Sequence, residues 1–272
     1  MLKKRIVTAA ILIPLVLLAI FYLQPYQHVF ETLVGVIILG CAWEWTNLMK
    51  VTSFIERVSY LLLIALLCYA ITWVAMGYFL YTILALILSA IGMIHNYQSK
   101  QSPTRIPDFY WYLIGSLLFI SCWYSINIIY FKVGGKYQLL MLLLLVWTTD
   151  SAAYFSGKYF GKTPLINHVS PAKTWEGVKG AALAVLMLTI IEGVVIRTNF
   201  SMFLFTVLIN AATFVATIYG DLFESMLKRI ANCKESGALL PGHGGLLDRL
   251  DGLFFAAPCY ATGLLLMTFY TH

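Results

Sequence analysis

From Tyr137 to Gly157 the chain reads Tyr137-Gln138-Leu139-Leu140-Met141-Leu142-Leu143-Leu144-Leu145-Val146-Trp147-Thr148-Thr149-Asp150-Ser151-Ala152-Ala153-Tyr154-Phe155-Ser156-Gly157. Its apolar residues follow one another instead of alternating with polar ones, which argues against a half-buried strand. About 20 mostly apolar residues are what an α-helix needs to cross a bilayer. In lipid only helices and closed barrels satisfy their backbone, and barrel strands alternate over about ten residues. The run therefore reads as a membrane-spanning helix. Its one carboxylate, Asp150, is expensive in lipid and by default faces a polar cavity with a partner.

Outward from this run, eight more stretches read the same way: 6–23, 29–49, 58–76, 78–94, 109–131, 178–196, 201–220 and 252–270. Gly77 is read as the turn between the third and fourth. The first stretch follows Met1-Leu2-Lys3-Lys4-Arg5. It is longer than the ~7–15 residues of a signal-peptide core and no small-x-small cleavage site follows, so it reads as a retained helix. The expected fold class is all-α, a polytopic integral membrane protein of about nine helices. Five of them lie in an N-terminal part, 1–136. A catalytic part, 137–272, carries two long polar connections, 158–177 and 221–251. Neither an internal repeat nor a low-complexity segment interrupts this order.

Composition agrees. Hydrophobic residues make up 61% of the 272 and charged residues 11%, against about 25% charged in a soluble domain. The formal net charge of +6 does not point to nucleic acid, because the basic residues sit singly or in small groups between apolar runs. The five cysteines, Cys41, Cys68, Cys122, Cys233 and Cys259, show no metal-type spacing and read as small reduced residues.

With the N-terminus inside, the inner segments hold Lys3, Lys4, Arg5, Lys50, Arg57, Lys100, Arg105, Lys158, Lys162, Lys173, Lys179, Lys228, Arg229, Lys234 and Arg249. The outer ones hold Lys132, Lys136 and Arg197. This fifteen-to-three bias predicts a cytoplasmic N-terminus in the inner membrane, with both long connections on the cytoplasmic side. Connections that long are usually functional or disordered.

The second connection opens with Gly220-Asp221-Leu222-Phe223-Glu224-Ser225-Met226-Leu227-Lys228-Arg229. On a continuing helix, Asp221, Glu224, Ser225 and Lys228 share one face. Taken alone, that face is equally the polar side of an interfacial helix. The next block, Pro241-Gly242-His243-Gly244-Gly245-Leu246-Leu247-Asp248-Arg249-Leu250-Asp251, is harder to read that way. Its glycines let successive N–H groups point together, as phosphate loops do. Asp248 and Asp251 follow at i and i+3 and suit Mg²⁺ shared with substrate phosphates. The blander alternative is a capped turn whose aspartates favour a helix dipole. In the first connection, Lys158, Lys162 and Lys173 are candidates to neutralise phosphate. Glu31, Glu44 and Glu192 receive no chemical role, and a structural one is expected of them. His28, His95, His168 and His272 form no metal spacing.

Together, Ser225-x-x-Lys228-Arg229-x4-Lys234-Glu235-x5-Pro241-Gly242-His243-Gly244-Gly245-x2-Asp248-Arg249-x-Asp251 resembles the diagnostic motif of the CDP-diacylglycerol synthases, the phosphatidate cytidylyltransferases. The upstream Ser170-Pro171-x-Lys173-Thr174-Trp175-Glu176-Gly177 fits the same family. The resemblance covers roughly residues 147–260. One position departs: Glu235 stands where the family pattern usually has Asp, and it is not assigned to a metal.

The resemblance implies the reaction CTP + phosphatidate → CDP-diacylglycerol + pyrophosphate, for phospholipid synthesis. It also implies Mg²⁺, a second cation for which K⁺ is the candidate, and a homodimer among membrane lipids. The expected assignment puts Asp221, Asp248 and Asp251 around the metal. Lys173, Lys228 and Arg249 hold phosphate oxygens, and Ser225 with the Gly244–Gly245 backbone orients them. Ser170, Glu224, Arg229 and His243 complete the substrate-binding set. Two rivals have distinct signatures. A CTP-dependent polyprenol or phytol kinase releases CDP and needs a base for a lipid hydroxyl, for which His243 is the candidate. An ion-coupled transporter requires broken helices in matching halves, and the sequence shows no such symmetry.

Overall fold

A computed structural model describes residues 13–73, 76–100, 106–133, 135–239 and 244–271. Helix follows helix: α1 (Ile13–Tyr22), α2 (Gln27–Leu48), α3 (Phe54–Ile71), α4 (Met76–Lys100), α5 (Asp108–Ile128, continued by a π-turn at Ile129–Val133) and α6 (Gly135–Phe160). A short antiparallel hairpin, β1 (Pro164–Ile166) and β2 (Ser170–Thr174), precedes α7 (Trp175–Ile196) and α8 (Phe200–Ile230). A single turn, α9 (Leu247–Leu250), leads into α10 (Leu253–Thr271).

Among the described residues, seven helices are long and apolar enough to cross a membrane: α2, α3, α5 to α8, and the segment Leu247–Thr268 that joins α9 to α10. Each coincides with an expected run. The expected run 78–94 falls inside α4, and 6–23 is described only from Ile13. Gly77 is not the break expected of it: α3 stops at Ile71 and Gly77 belongs to α4. Lipid explains the outward-facing side chains. Leu62, Leu183, Val194 and Val195 are all more than half exposed, which water would not tolerate in such number.

The chain forms two compact units. The first comprises Met1–Phe79, Arg105–Leu140 and Leu227–Leu250. Its core is aromatic: Trp45 meets Trp111 and Phe119 edge-on, and its indole N–H donates to the Trp111 carbonyl at 3.2 Å. That bond meets the one polar group such a ring brings into a core. The second unit comprises Leu80–Thr104, Met141–Met226 and Asp251–His272. In it α7 and α8 are tied by Glu192 and Asn210, whose amide donates to the carboxylate at 2.8 Å and to Thr189 at 3.1 Å. Glu192 is thus a contact between helices. Thr174 caps α7 by accepting from the Gly177 N–H at 3.2 Å, which satisfies one of the open donors of the first turn. None of the five cysteines is in a disulfide.

Candidate active site

The expectation that the eighth span continues as a helix through the polar block is met, since α8 runs unbroken to Ile230. Asp221, Glu224 and Ser225 therefore stand one turn apart within the second unit. Just before them, a Cβ on Gly220 would stand 2.8 Å from the Asp251 carbonyl, and one on Gly252 would stand 2.9 Å from Thr217. Only glycine at both positions lets the α8 backbone approach the start of α10 this closely. Asp221 and Asp251 are brought together by that approach.

The resulting cluster is rich in acids. Asp251 feels the charges of Asp221, Glu224 and Asp150, with Lys173 opposing them. Asp150, from α6, likewise feels Asp221 and Lys173. Lys173, on β2, forms an ion pair with Asp221. The Ser225 hydroxyl lies 3.4 Å from the Asp221 carboxylate, and Asp251 accepts from the Gly252 N–H at 2.7 Å. The charges of Asp150, Asp221 and Glu224 thus reach Asp251, and Lys173 opposes the repulsion at Asp251 and Asp150. Glu224 is buried, Asp221 and Asp251 half-buried and Asp150 exposed. Like charges held this close raise each other's energy, and a cation lowers it.

The hairpin that carries Lys173 is held by an acid of the same motif. Glu176, in the first turn of α7, accepts from the N–H groups of Lys162 at 3.0 Å and Thr163 at 3.1 Å. Ser170, at the start of β2, is half-buried.

Asp248 lies in the first unit in a different setting. One oxygen accepts from Lys228 Nζ at 2.9 Å and from the Ser236 N–H at 3.2 Å. The other accepts from the Gly245 N–H at 3.0 Å and the Ser236 N–H at 3.1 Å. Its charge is matched and its acceptors are in use. Gly244 has φ of +81°, a conformation that suits glycine. Arg229 and Arg249 are exposed. His243 lies outside the described residues.

Of the residues expected to act, then, the second unit unites Asp221, Asp251, Glu224, Ser225 and Lys173, while the first unites Lys228, Asp248, Gly244 and Gly245. Two of the acids left without a role in the sequence lie close to these groups. Asp150 joins the carboxylate cluster, and the signal for it was its isolation in an apolar run. Glu44 holds the loop before Asp248, and nothing in the sequence marked it for that.

The oxygen-only donors of the cluster have the chemistry that Mg²⁺ prefers. No group of three or more His, Cys, Asp and Glu side chains among the described residues stands ready to hold an ion unaided.

The chain is similar to a family model described as "Cytidylyltransferase family" over residues 3–267. It is 34% identical to the phosphatidate cytidylyltransferase of Pseudomonas aeruginosa, with 96% of each chain covered. Identity is 31% to that of Haemophilus influenzae, over 96% of this chain and 98% of the other. It is 32% to that of Thermotoga maritima, over 94% of each. The similarity thus takes in the N-terminal helices as well as the polar motifs, and the chain belongs to the cytidylyltransferase family.

Proposed function

We propose that this protein transfers the cytidylyl group of CTP to phosphatidate, making CDP-diacylglycerol and pyrophosphate for phospholipid synthesis. The observation that carries the reading is full-length similarity to three phosphatidate cytidylyltransferases. The kinase and transporter readings are not favoured, since neither accounts for that similarity. In the reaction a phosphatidate oxygen forms a bond to the α-phosphorus of CTP, and the bond from that phosphorus to the α–β bridging oxygen breaks. The electron pair leaves with pyrophosphate. The nucleophile is already an anion, so no strong base is required, and His243 is given no proton to remove. Alignment and charge neutralisation then carry the catalysis.

In this reading Asp221 and Asp251 are the carboxylates that hold Mg²⁺, with Glu224 and Asp150 adding negative charge around them. Asp248, expected as a third ligand, is committed to Lys228 and to backbone N–H groups. It serves the reaction by holding the glycine-rich loop. Bound there, Mg²⁺ would offset the charge that develops on the departing pyrophosphate. Lys173 transfers its bond from Asp221 to an incoming phosphate oxygen. Ser225 orients the Asp221 carboxylate. Lys228, held by Asp248, and the exposed Arg229 and Arg249 supply further positive charge. A K⁺ ion as second cation, a homodimer, nine spans and a cytoplasmic N-terminus in the inner membrane complete the proposal. The charge bias along the sequence supports the orientation.

The test is pyrophosphate release by purified protein with CTP, Mg²⁺ and phosphatidate, with diacylglycerol as the control acceptor. Release with phosphatidate alone is expected. CDP formation with a lipid alcohol would favour the kinase, and no turnover with either acceptor would favour the transporter. For topology, a single cysteine at exposed Ala238 in a cysteine-free background should resist impermeant thiol reagents in intact cells. Labelling there would reverse the orientation. Ser236 is unsuited to this experiment, being 1% exposed.

A further inference from the structure

Glu44 sits near the C-terminal end of α2, between Trp43 and Trp45, and the chemistry above makes no use of it. It is 1% exposed. A carboxylate withdrawn that far from solvent persists only where its lone pairs are met. Among the described residues its donors all come from one distant segment. The Leu247 N–H donates to Oε2 at 2.8 Å, the Leu239 N–H to Oε1 at 3.1 Å, and the Ser236 hydroxyl to Oε2 at 3.5 Å. These partners lie about 190 to 200 residues further along the chain and within the same unit. They bracket the glycine-rich block from before it to just after it.

The fit is close. A Cβ on Gly237 would overlap Glu44 Oε1, and one on Gly245 would come within 2.6 Å of Glu44 Oε2 and overlap the Ser236 hydroxyl. Two glycines thus leave the space that one carboxylate fills. Asp248 takes hold of the same segment by the N–H groups of Ser236 and Gly245. Ser236 is therefore held from both sides, its hydroxyl by Glu44 and its N–H by Asp248.

We propose that Glu44 is a positioning residue for the nucleotide: an N-terminal membrane helix holds, through one buried carboxylate, the segments 236–239 and 244–247 in the form that meets the phosphates of CTP. The proposal rests on the preceding reading that this loop serves CTP. An acid that only helped α2 to pack would not need all its donors from that loop. A carboxylate suits the place because both oxygens accept. A glutamine would turn an N–H₂ group toward one of the three donors and lose that bond.

The experiment compares Glu44→Gln and Glu44→Ala with the unaltered protein. Glu31→Gln is the control, an acid of the same helix whose side chain meets Gln27 and His28. Hydrogen–deuterium exchange over 236–247 reads the loop without reference to activity. Pyrophosphate release reads KM for CTP apart from kcat and from KM for phosphatidate. Glu44→Gln should speed exchange in 236–247 and raise KM for CTP about ten-fold, the effect of one lost hydrogen bond, with kcat and KM for phosphatidate little changed. If Glu44→Ala does not fold, Glu44→Gln still decides. If it folds, adding Gly237→Ala should cost less in it than in the unaltered protein, because the new methyl enters vacated space. Wild-type exchange and an unchanged KM for CTP in active Glu44→Gln would overturn the inference. So would a fall in apparent kcat that tracks the amount of folded protein, with both KM values unchanged. Failure of the functional reading would show separately, as no pyrophosphate release by the unaltered protein.

Discussion

Asp248 and Asp251 stand three residues apart in one motif and have opposite surroundings. Asp248 belongs to the first unit, where Lys228 and two backbone N–H groups use its acceptors. Asp251 belongs to the second, where the charges of Asp221, Glu224 and Asp150 act on it and that of Lys173 opposes them. A carboxylate saturated with donors stabilises whatever supplies them, here a loop. A carboxylate crowded by its own kind stores repulsion that a cation relieves. Motif membership does not assign a role to an aspartate; the donors around it do.

Substitutions that keep shape and remove charge test this contrast. The largest effect is expected at Asp251 and Asp221. Asn at either should lower kcat by about 10³-fold or more, on the scale of losing a preorganised electrostatic group. Melting of the purified Asp251 variant should be unchanged or higher, because a repelling charge is gone. A marked loss of thermal stability in Asp251→Asn would erase the distinction from Asp248.

Lys173→Met comes next. Removing the ammonium that pairs with Asp221 should cost about 10²-fold in kcat/KM, chiefly through KM for CTP, as for a lost charge-assisted contact in a partly shielded site. Rates near those of the unaltered protein would show that Lys173 serves only Asp221.

Asp248→Asn should behave differently from both. It removes the Asp248 charge from beside Lys228 and loosens Ser236 and Gly245, so stability should fall by about 1–3 kcal/mol, read as a lower melting midpoint. Activity should drop about ten-fold, in line with one or two lost loop bonds. Raised Mg²⁺ should partly restore Asp221→Asn or Asp251→Asn and leave Asp248→Asn as it was. Rescue of Asp248→Asn by Mg²⁺ would return that residue to the metal and weaken the comparison.

The smallest effect is expected at Glu235, the position that departs from the family pattern. It is exposed, and Glu235→Gln should change kcat/KM by less than about three-fold, as surface substitutions usually do. A loss comparable with that of Asp251→Asn would place a further acid in the working cluster.

What the sequence by itself determined about this protein is local. The spanning runs were legible because hydropathy sums over about 20 consecutive residues, whatever they later pack against. The helical face of Asp221, Glu224 and Ser225 followed from period alone, and the polar motifs carried the family resemblance. The start of α4 was misread at Gly77, because glycine is tolerated inside apolar helices and is a weak stop signal there. Only the tertiary structure decided which acids have which neighbours. Asp150 joins Asp251 across about a hundred residues of chain, Asp248 turns instead to Lys228, and Glu44 closes on a loop some 200 residues away. The physical reason is that a carboxylate's role depends on the donors and charges within a few ångströms of it. Those neighbours are set by how the helices pack, which no run of adjacent residues encodes.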